Sequence, residues 1–269
     1  MQVRKLIQGT APLLVSIPHM GTFLPPDLKS RMTNEALKLP DTDWHVDKLY
    51  WFALEMGASI LMPTHSRYVV DLNRPPDDGN LYPGQVKTGL CPLETFDGKN
   101  IYKEGEEPDD IEKVNRIGAY WMPYHEALQD ELQRIRDEFG YAILYDAHSI
   151  MSQVPRLFEG QLTDLNLGSA KSASCAPAMA EAALKAASSG SYSAVLNGRF
   201  VGGYITRHYG QPQDNIHALQ MELSQINYMD EEYPYTYRPD KAEKLQTVLK
   251  KVLESLLAWG RENYSAPKR

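Results

Sequence analysis

Cysteine is scarce in this 269-residue sequence. Cys91 and Cys175 stand far apart and form no CxxC pair. That excludes a disulfide framework and a thiolate metal cluster, and points to a reducing cytoplasm. Basic runs are missing too. With a net charge of -7 and a pI near 5.5, the chain is an unpromising partner for nucleic acid. An anionic small molecule is still permitted, because the charge of a site is separate from that of the whole. No apolar stretch approaches the length of a membrane span. The short apolar run near the N-terminus is broken by Pro12 and Pro18 and has no small-residue cleavage site after it, so it reads as a strand and not a signal peptide. There is no internal repeat and no low-complexity tail. Two hydrolase signatures are absent. "YHEALQ" (124–129) lacks the second histidine of an HExxH zinc site, and no GxSxG elbow exists to present Ser149 as a nucleophile.

What the sequence does contain is ordinary globular material, 42% hydrophobic and 23% charged, enough for one hydrolase domain over residues 1–269. Apolar, β-favouring runs at 12–17, 59–63, 67–72, 141–145, 192–200, 202–210 and 217–225 predict strands. Amphipathic patterns at 42–57, 111–139, 177–188 and 240–263 predict helices, the second with a possible kink at Pro123. Thr42 is the expected N-cap of the first helix. Residues 151–168 read as a loop. The Pro/Gly/Asp-rich stretch 75–110 reads as a long loop insertion, a class often functional, and Tyr82 and Tyr102 suggest that it packs. Continuous apolar strands alternating with helices predict an α/β fold: a mixed, largely parallel sheet covered by helices on both faces.

In such sheets ligands bind beyond the carboxyl ends of the strands. Strand 12–17 ends at His19, and strand 141–145 at "DAHS", with Asp146, His148 and Ser149. Between them in sequence, "DTDWHVD" supplies Asp41, Asp43, His45 and Asp47. Two histidines and a carboxylate with an open fourth position make the ligand set of a catalytic zinc. His19, Asp43 and His148 are the expected ligands, although Asp41 or Asp47 can replace Asp43. One helical turn beyond Asp43, Asp47 is otherwise placed to orient a ligand. Asp146 either points away or accepts the second imidazole proton. The remaining histidines, His45, His65, His125, His208 and His217, read as structural.

A hydrolytic metal site also needs a base. In "HALQMELSQ" strict alternation puts Gln220, Glu222 and Ser224 on one face and Leu219, Met221 and Leu223 on the other. A glutamate in a buried strand is costly unless it is used, so Glu222 is the expected general base, with a solvated edge strand as the bland alternative. Arginine forks match carboxylates. Arg67 and Arg74 in "SRYVVDLNRPP", and Arg199 and Arg207 in "GRFVGGYITRHYG", are candidates, with Arg74, directly before Pro75 and Pro76, placed to clamp an anion. The glycine pair Gly202–Gly203 lets backbone approach something closely.

Nine stretches in order, "VSIPHMG", "DTDWHVDKLY", "SRYVVDLNRPP", "LYPGQVKTGLCP", "YDAHSI", "VPRLFEG", "NLG", "VLNGRFVGGYITRHYG" and "QMELSQ", together resemble the N-formylglutamate amidohydrolase family from about residue 11 to 240. The resemblance implies a phosphorylase/hydrolase-like, zinc-carboxypeptidase-like fold. It also implies one divalent metal ion, with zinc the expected one, and hydrolysis of N-formyl-L-glutamate to formate and L-glutamate in histidine degradation. On the residues it implies His19 and His148 as metal ligands, Glu222 as base, Arg67 as oxyanion helper, and Asn73 with Arg74 as the carboxylate grip; the implied substrate is a small dianion, for which Arg74 and Arg207 are the two expected grips. Two positions depart from pattern. Zinc carboxypeptidases place a glutamate three residues after the first histidine, where this chain has Thr22, which turns the search for the carboxylate to "DTDWHVD". Met20 stands where the family shows serine. Rival readings are a deacylase of another N-acyl amino acid and a metal-free binding protein on the same fold.

Overall fold

The N-terminal strand β1 (Arg4–Ile7), too short to stand out in the sequence, lies antiparallel to β3 (Ser59–Pro63) at the sheet edge. Beside β3 runs β2 (Leu13–Ser16), parallel to it and to β4 (Ala142–Ile150). β4 is paired along its full length with β7 (Ile216–Ser224), again parallel. β5 (Leu165–Gly168) is antiparallel to β7 and parallel to the last strand, β6 (Ala194–Leu196). The resulting sheet has seven strands in the order β1-β3-β2-β4-β7-β5-β6, mixed and mostly parallel as the apolar runs predicted. The computed structural model describes residues 2–79 and 88–264. Tyr82 and much of "LYPGQVKTGLCP" lie outside the described residues. Tyr102, on the same insertion, is buried as expected.

Alternation along the strands splits the core into two layers. Leu13, Val15, Ile143, Tyr145, Leu219, Met221 and Leu223 face one way, onto helices α2 (Val46–Leu49), α5 (Pro177–Ala187) and α7 (Pro239–Tyr264). Leu14, Leu61, Leu144 and Ala218 face the other way, onto α4 (Met122–Phe139) and α6 (Tyr204–Tyr209). Each fully buried leucine or isoleucine contributes about 1.5–3 kcal/mol. Two helices lie outside these layers, α1 (Pro26–Arg31) and α3 (Asp110–Arg116). Among the described residues no helix is long and apolar enough to cross a membrane.

Several expected elements need correction. The helix predicted over 42–57 is only α2 and a 3₁₀ turn, Trp51–Leu54, because His45 has φ +63° and breaks the helical run before Val46. Thr42 is therefore no N-cap, and the same-face relation between Asp43 and Asp47 is lost. Residues 67–72 are not a strand. Asp71 accepts the Asn73 N–H at 2.8 Å in an Asx turn that bends the chain away from the sheet. Residues 202–210 form α6, and the predicted strand at 192–200 is only β6. The expected loop 151–168 ends in β5. Pro123 sits harmlessly in the first turn of α4, and the break between α3 and α4 is a π-helical turn, Ile117–Trp121.

His125 of α4 ties this helix to the turn below it. Its Nε2–H donates to the Leu72 carbonyl at 2.9 Å, and Nδ1 meets the Tyr209 hydroxyl at 2.9 Å. Burial pushes its pKa down to about 3 from the usual 6.5. A depressed folded-state value means that its contribution to stability is complete above pH 6.5 and is lost as pH falls toward 3. Its ring-proton NMR signals are accordingly expected to stay flat from about pH 8 to 5; a midpoint near 6.5 would contradict this burial.

Candidate metal centre

The polar residues sit where β2, β4 and β7 emerge from the sheet. β4 does not stop at Asp146, as its apolar run suggested. It continues through His148 to Ile150, paired to β7, with His148 opposite Glu222 and Asp146 opposite Gln220. Paired residues of a parallel sheet project to the same side, so these four share a face, and Leu219, Met221 and Leu223 fill the other. β7 lies between β4 and β5, which removes the edge-strand reading of Glu222.

His19, Asp43 and His148 each turn one ligand atom toward a common point, the three lying within 4.8 Å of one another. Nδ1 of His148 is 3.2 Å from Nδ1 of His19, and Asp43 Oδ2 is 3.3 Å from the first and 3.7 Å from the second. Each imidazole is held from behind by an aspartate. His19 Nε2–H donates to Asp71 Oδ1 at 2.8 Å, and His148 Nε2–H to Asp146 Oδ2 at 2.9 Å. A carboxylate on Nε2 keeps the proton there and leaves Nδ1 as the lone-pair donor. Asp71 is the residue that sequence reading missed. Its signal was an acidic side chain inside "YVVDL", which was taken for a strand.

Asp43 is 1% exposed, and neither of its carboxylate oxygens accepts a hydrogen bond. Burial opposes its charge; protons on the facing His148 and His19 rings would pull the pKa down to about 2, and with both Nδ1 atoms unprotonated a cation at that point takes over this part. A buried, ionised carboxylate without hydrogen bonds, aimed at two imidazole lone pairs, is costly unless a cation completes it. The donor set of two nitrogens and one oxygen suits a borderline divalent ion. Asp41 is engaged elsewhere, accepting from the Tyr68 hydroxyl at 2.8 Å and the Phe96 N–H at 2.9 Å. Asp47 is not in the cluster.

A small cleft of about 80 Å³ opens over these groups, lined among others by His19, Arg67, Asn73, Arg74, Arg199 and Glu222. A larger cavity of about 770 Å³, beside α3, holds none of the strand-end residues. Burial pushes the Glu222 carboxyl up to about 8, with His148 only partly offsetting it. Arg67 donates to Asp71 Oδ2 at 2.6 Å, and its guanidinium lies 4.7 Å from the Phe96 ring centre. Arg74 is fixed by its own Asn73 carbonyl at 3.0 Å and by the Thr88 carbonyl at 2.9 Å. Arg207, expected as the second grip, is placed elsewhere. It lies exposed on α6, its Nε donating to the Gly202 carbonyl at 2.8 Å, and does not line the cleft. Arg199 does. The reason is the misread element: a strand over 202–210 would have aimed position 207 differently from a six-residue helix. Ser149 hydrogen-bonds Tyr228 and Gln225, with no histidine on its hydroxyl.

The close approach at the glycine pair is to Asn73. A Cβ on Gly203 would sit 2.3 Å from Asn73 Nδ2. Asn73 Oδ1 accepts the Ile205 N–H at 2.8 Å, which fixes the amide at the wall of the cleft. Gly203→Ala is expected to displace that amide and cost about 10²-fold in kcat/KM, with the unfolding midpoint as control for a folded chain. Activity within twofold of the parent would show that Asn73 does not need this position.

Comparison with known proteins identifies the family of the chain. The family model for N-formylglutamate amidohydrolase matches residues 11–229. The N-formylglutamate deformylase of Pseudomonas aeruginosa is 53% identical over 266 residues, 98% of this chain and 99% of that protein. That of Pseudomonas putida is 51% identical over 258 residues, 96% of each chain. Among solved structures, N-formylglutamate amidohydrolase from Ralstonia eutropha JMP134 superposes with a TM-score of 0.84 at 24% identity, covering 97% of this chain and 99% of that one. The gene product Atu2144 from Agrobacterium tumefaciens superposes at 0.70 with 16% identity, covering 96% and 94%. The last two share the fold. With a family model spanning most of its length and relatives identical at half their positions, this chain belongs to the N-formylglutamate amidohydrolase family and is a hydrolase.

Proposed function

We propose that the chain is a single-domain, metal-dependent deformylase that cleaves N-formyl-L-glutamate to formate and L-glutamate, as a step in histidine degradation. The observation that carries the metal part is Asp43, buried and charged without a hydrogen bond, facing two histidine Nδ1 atoms whose Nε2 protons are pinned. His19, Asp43 and His148 would hold the ion, zinc being the best match to two imidazoles and a carboxylate. When bound, the cation supplies Lewis-acid polarisation of the formyl carbonyl and acidifies a water. The chain's own groups do the rest. Glu222 would take the water's proton as the C–O bond forms and return it to the amine nitrogen as the C–N bond breaks; the charge of a bound cation would offset the burial that otherwise pushes its carboxyl up and so keep it ionised for the first step. Arg67, which lines the cleft, is the cation to stabilise the oxygen on which negative charge develops. Asn73, Arg74 and Arg199 line the cleft as grips for the two carboxylates of a small dianionic N-acyl amino acid. Arg199 takes the part first given to Arg207. Two buried free cysteines, Cys91 and Cys175, support a cytoplasmic setting.

The test is formate release from N-formyl-L-glutamate by zinc-loaded protein, with N-acetyl-L-glutamate as the competitor. The formyl compound is expected to be faster by about 10-fold or more, the scale of one extra carbon in a closed pocket. No formate from folded, zinc-loaded protein would sink the substrate assignment; equal rates would make the chain a broader deacylase.

A further inference from the structure

Asp43 is an unusual ligand because nothing bonds its carboxylate. Both histidines are aimed by aspartates, whereas Asp43 can be aimed only through its backbone. The two residues flanking it are gripped from the far side of the site. Gln225 Nε2 donates to the Thr42 carbonyl at 3.1 Å, and the Tyr228 hydroxyl donates to the Trp44 carbonyl at 3.0 Å. Ser149 joins the two grips: its Oγ is 3.2 Å from Gln225 Nε2 and 2.7 Å from Tyr228 Oη. Tyr228 donates in both of its contacts, sharing its single proton between the Trp44 carbonyl and Ser149 Oγ, and the two Gln225 amide protons go to Thr42 and Ser149, so Ser149 Oγ is the acceptor common to both grips. Gln225, Ser149 and Tyr228 are all buried, so a broken link leaves unpaired polar atoms without water. A third tie runs from the Asp43 N–H to the His19 carbonyl at 3.1 Å, coupling the carboxylate ligand to the first histidine.

We propose that Gln225, Ser149 and Tyr228 form one relay that positions Asp43 for the metal. They are positioning residues, and they touch neither the ion nor the reacting bond. This assigns the serine of "DAHS" and the terminal glutamine of "QMELSQ", two features that the hydrolytic chemistry does not use. The inference rests on the metal reading of Asp43. Its geometry also predicts coupling, since cutting the relay at either end releases the same segment.

Zinc affinity of the metal-free full-length chain, measured by competition with a chromophoric chelator, tests it without reference to turnover. Tyr228→Phe, Gln225→Leu and Ser149→Ala are each expected to weaken zinc binding about 10–100-fold, the usual cost of losing a group that orients a ligand. The double Tyr228→Phe/Gln225→Leu is expected to be little worse than the weaker single variant. Ser149→Thr, which keeps the hydroxyl, is expected to stay near the parent. A merely structural relay would lower the unfolding midpoint and leave zinc affinity alone, so zinc affinities within twofold of the parent in the folded variants would overturn the proposal. Asp43→Asn separates the two claims: if it binds zinc as tightly as the parent, the metal reading has failed and the relay with it. If Asp43→Asn loses zinc while the relay variants keep it, only the relay has failed.

Discussion

Asp43→Asn is expected to abolish formate release, with a loss of roughly 10³-fold or more, and prolonged chelation of the parent to do the same reversibly. The size follows from what the ion does. Lewis-acid stabilisation is worth several kcal/mol in the transition state, and each 1.36 kcal/mol is about tenfold in rate. The substitution conserves shape and removes only charge, at a side chain that makes no hydrogen bond, so the fold is spared. A second readout accompanies the first. On the metal reading, zinc is expected to bind the native state and to raise the unfolding midpoint of the parent by linkage, increasingly with concentration; the Asn variant is expected to show no such rise. Full activity in protein shown by elemental analysis to be metal-free would defeat the metal mechanism.

Glu222→Gln is expected to lower kcat by about 10²–10⁴-fold, the range for loss of a general base, while zinc affinity stays near that of the parent. Glu222 is outside the His19–Asp43–His148 cluster, and a neutral amide suits a position whose carboxyl is already pushed up to about 8 by burial. Chelator competition and kinetics on one preparation therefore separate base from ligand. A variant that keeps more than a tenth of the parent kcat would assign the proton transfer to another group. Loss of zinc affinity together with kcat would instead place Glu222 among the ligands.

The strand-end logic located His19 and His148 because buried parallel strands announce themselves as unbroken apolar runs, and polar residues just past them are conspicuous. Glu222 was legible from alternation alone, since Leu219, Met221 and Leu223 fixed which side was core. What periodicity could not see was the sign of φ. His45 at +63° stops the helix before Val46, and with it goes the argument that linked Asp43 to Asp47. The Asx turn at Asp71 hid in β-favouring residues, so the partner of His19 was overlooked. α6, six residues long, is too short to display a 3.6 period, and Arg207 was misplaced with it. Side-chain ties between distant segments, such as Gln225 to Thr42, leave no local pattern in any window of sequence.

The pairing of β4 with β7 has a consequence for how such enzymes diversify. His148 and Glu222 are held opposite one another by a nine-residue ladder, which works as a ruler. On the proposed roles, the spacing between metal ligand and base cannot drift without shifting every rung, and a slip of one residue would put a leucine or methionine where Glu222 stands. Arg74 and Arg199, the grips proposed for the rest of the substrate, are carried on connecting segments that obey no such ladder. Specificity can thus be rewritten in the loops while hydrolysis is inherited intact from the sheet, and grafting those segments between relatives is the economical route to a new acyl-amino-acid preference.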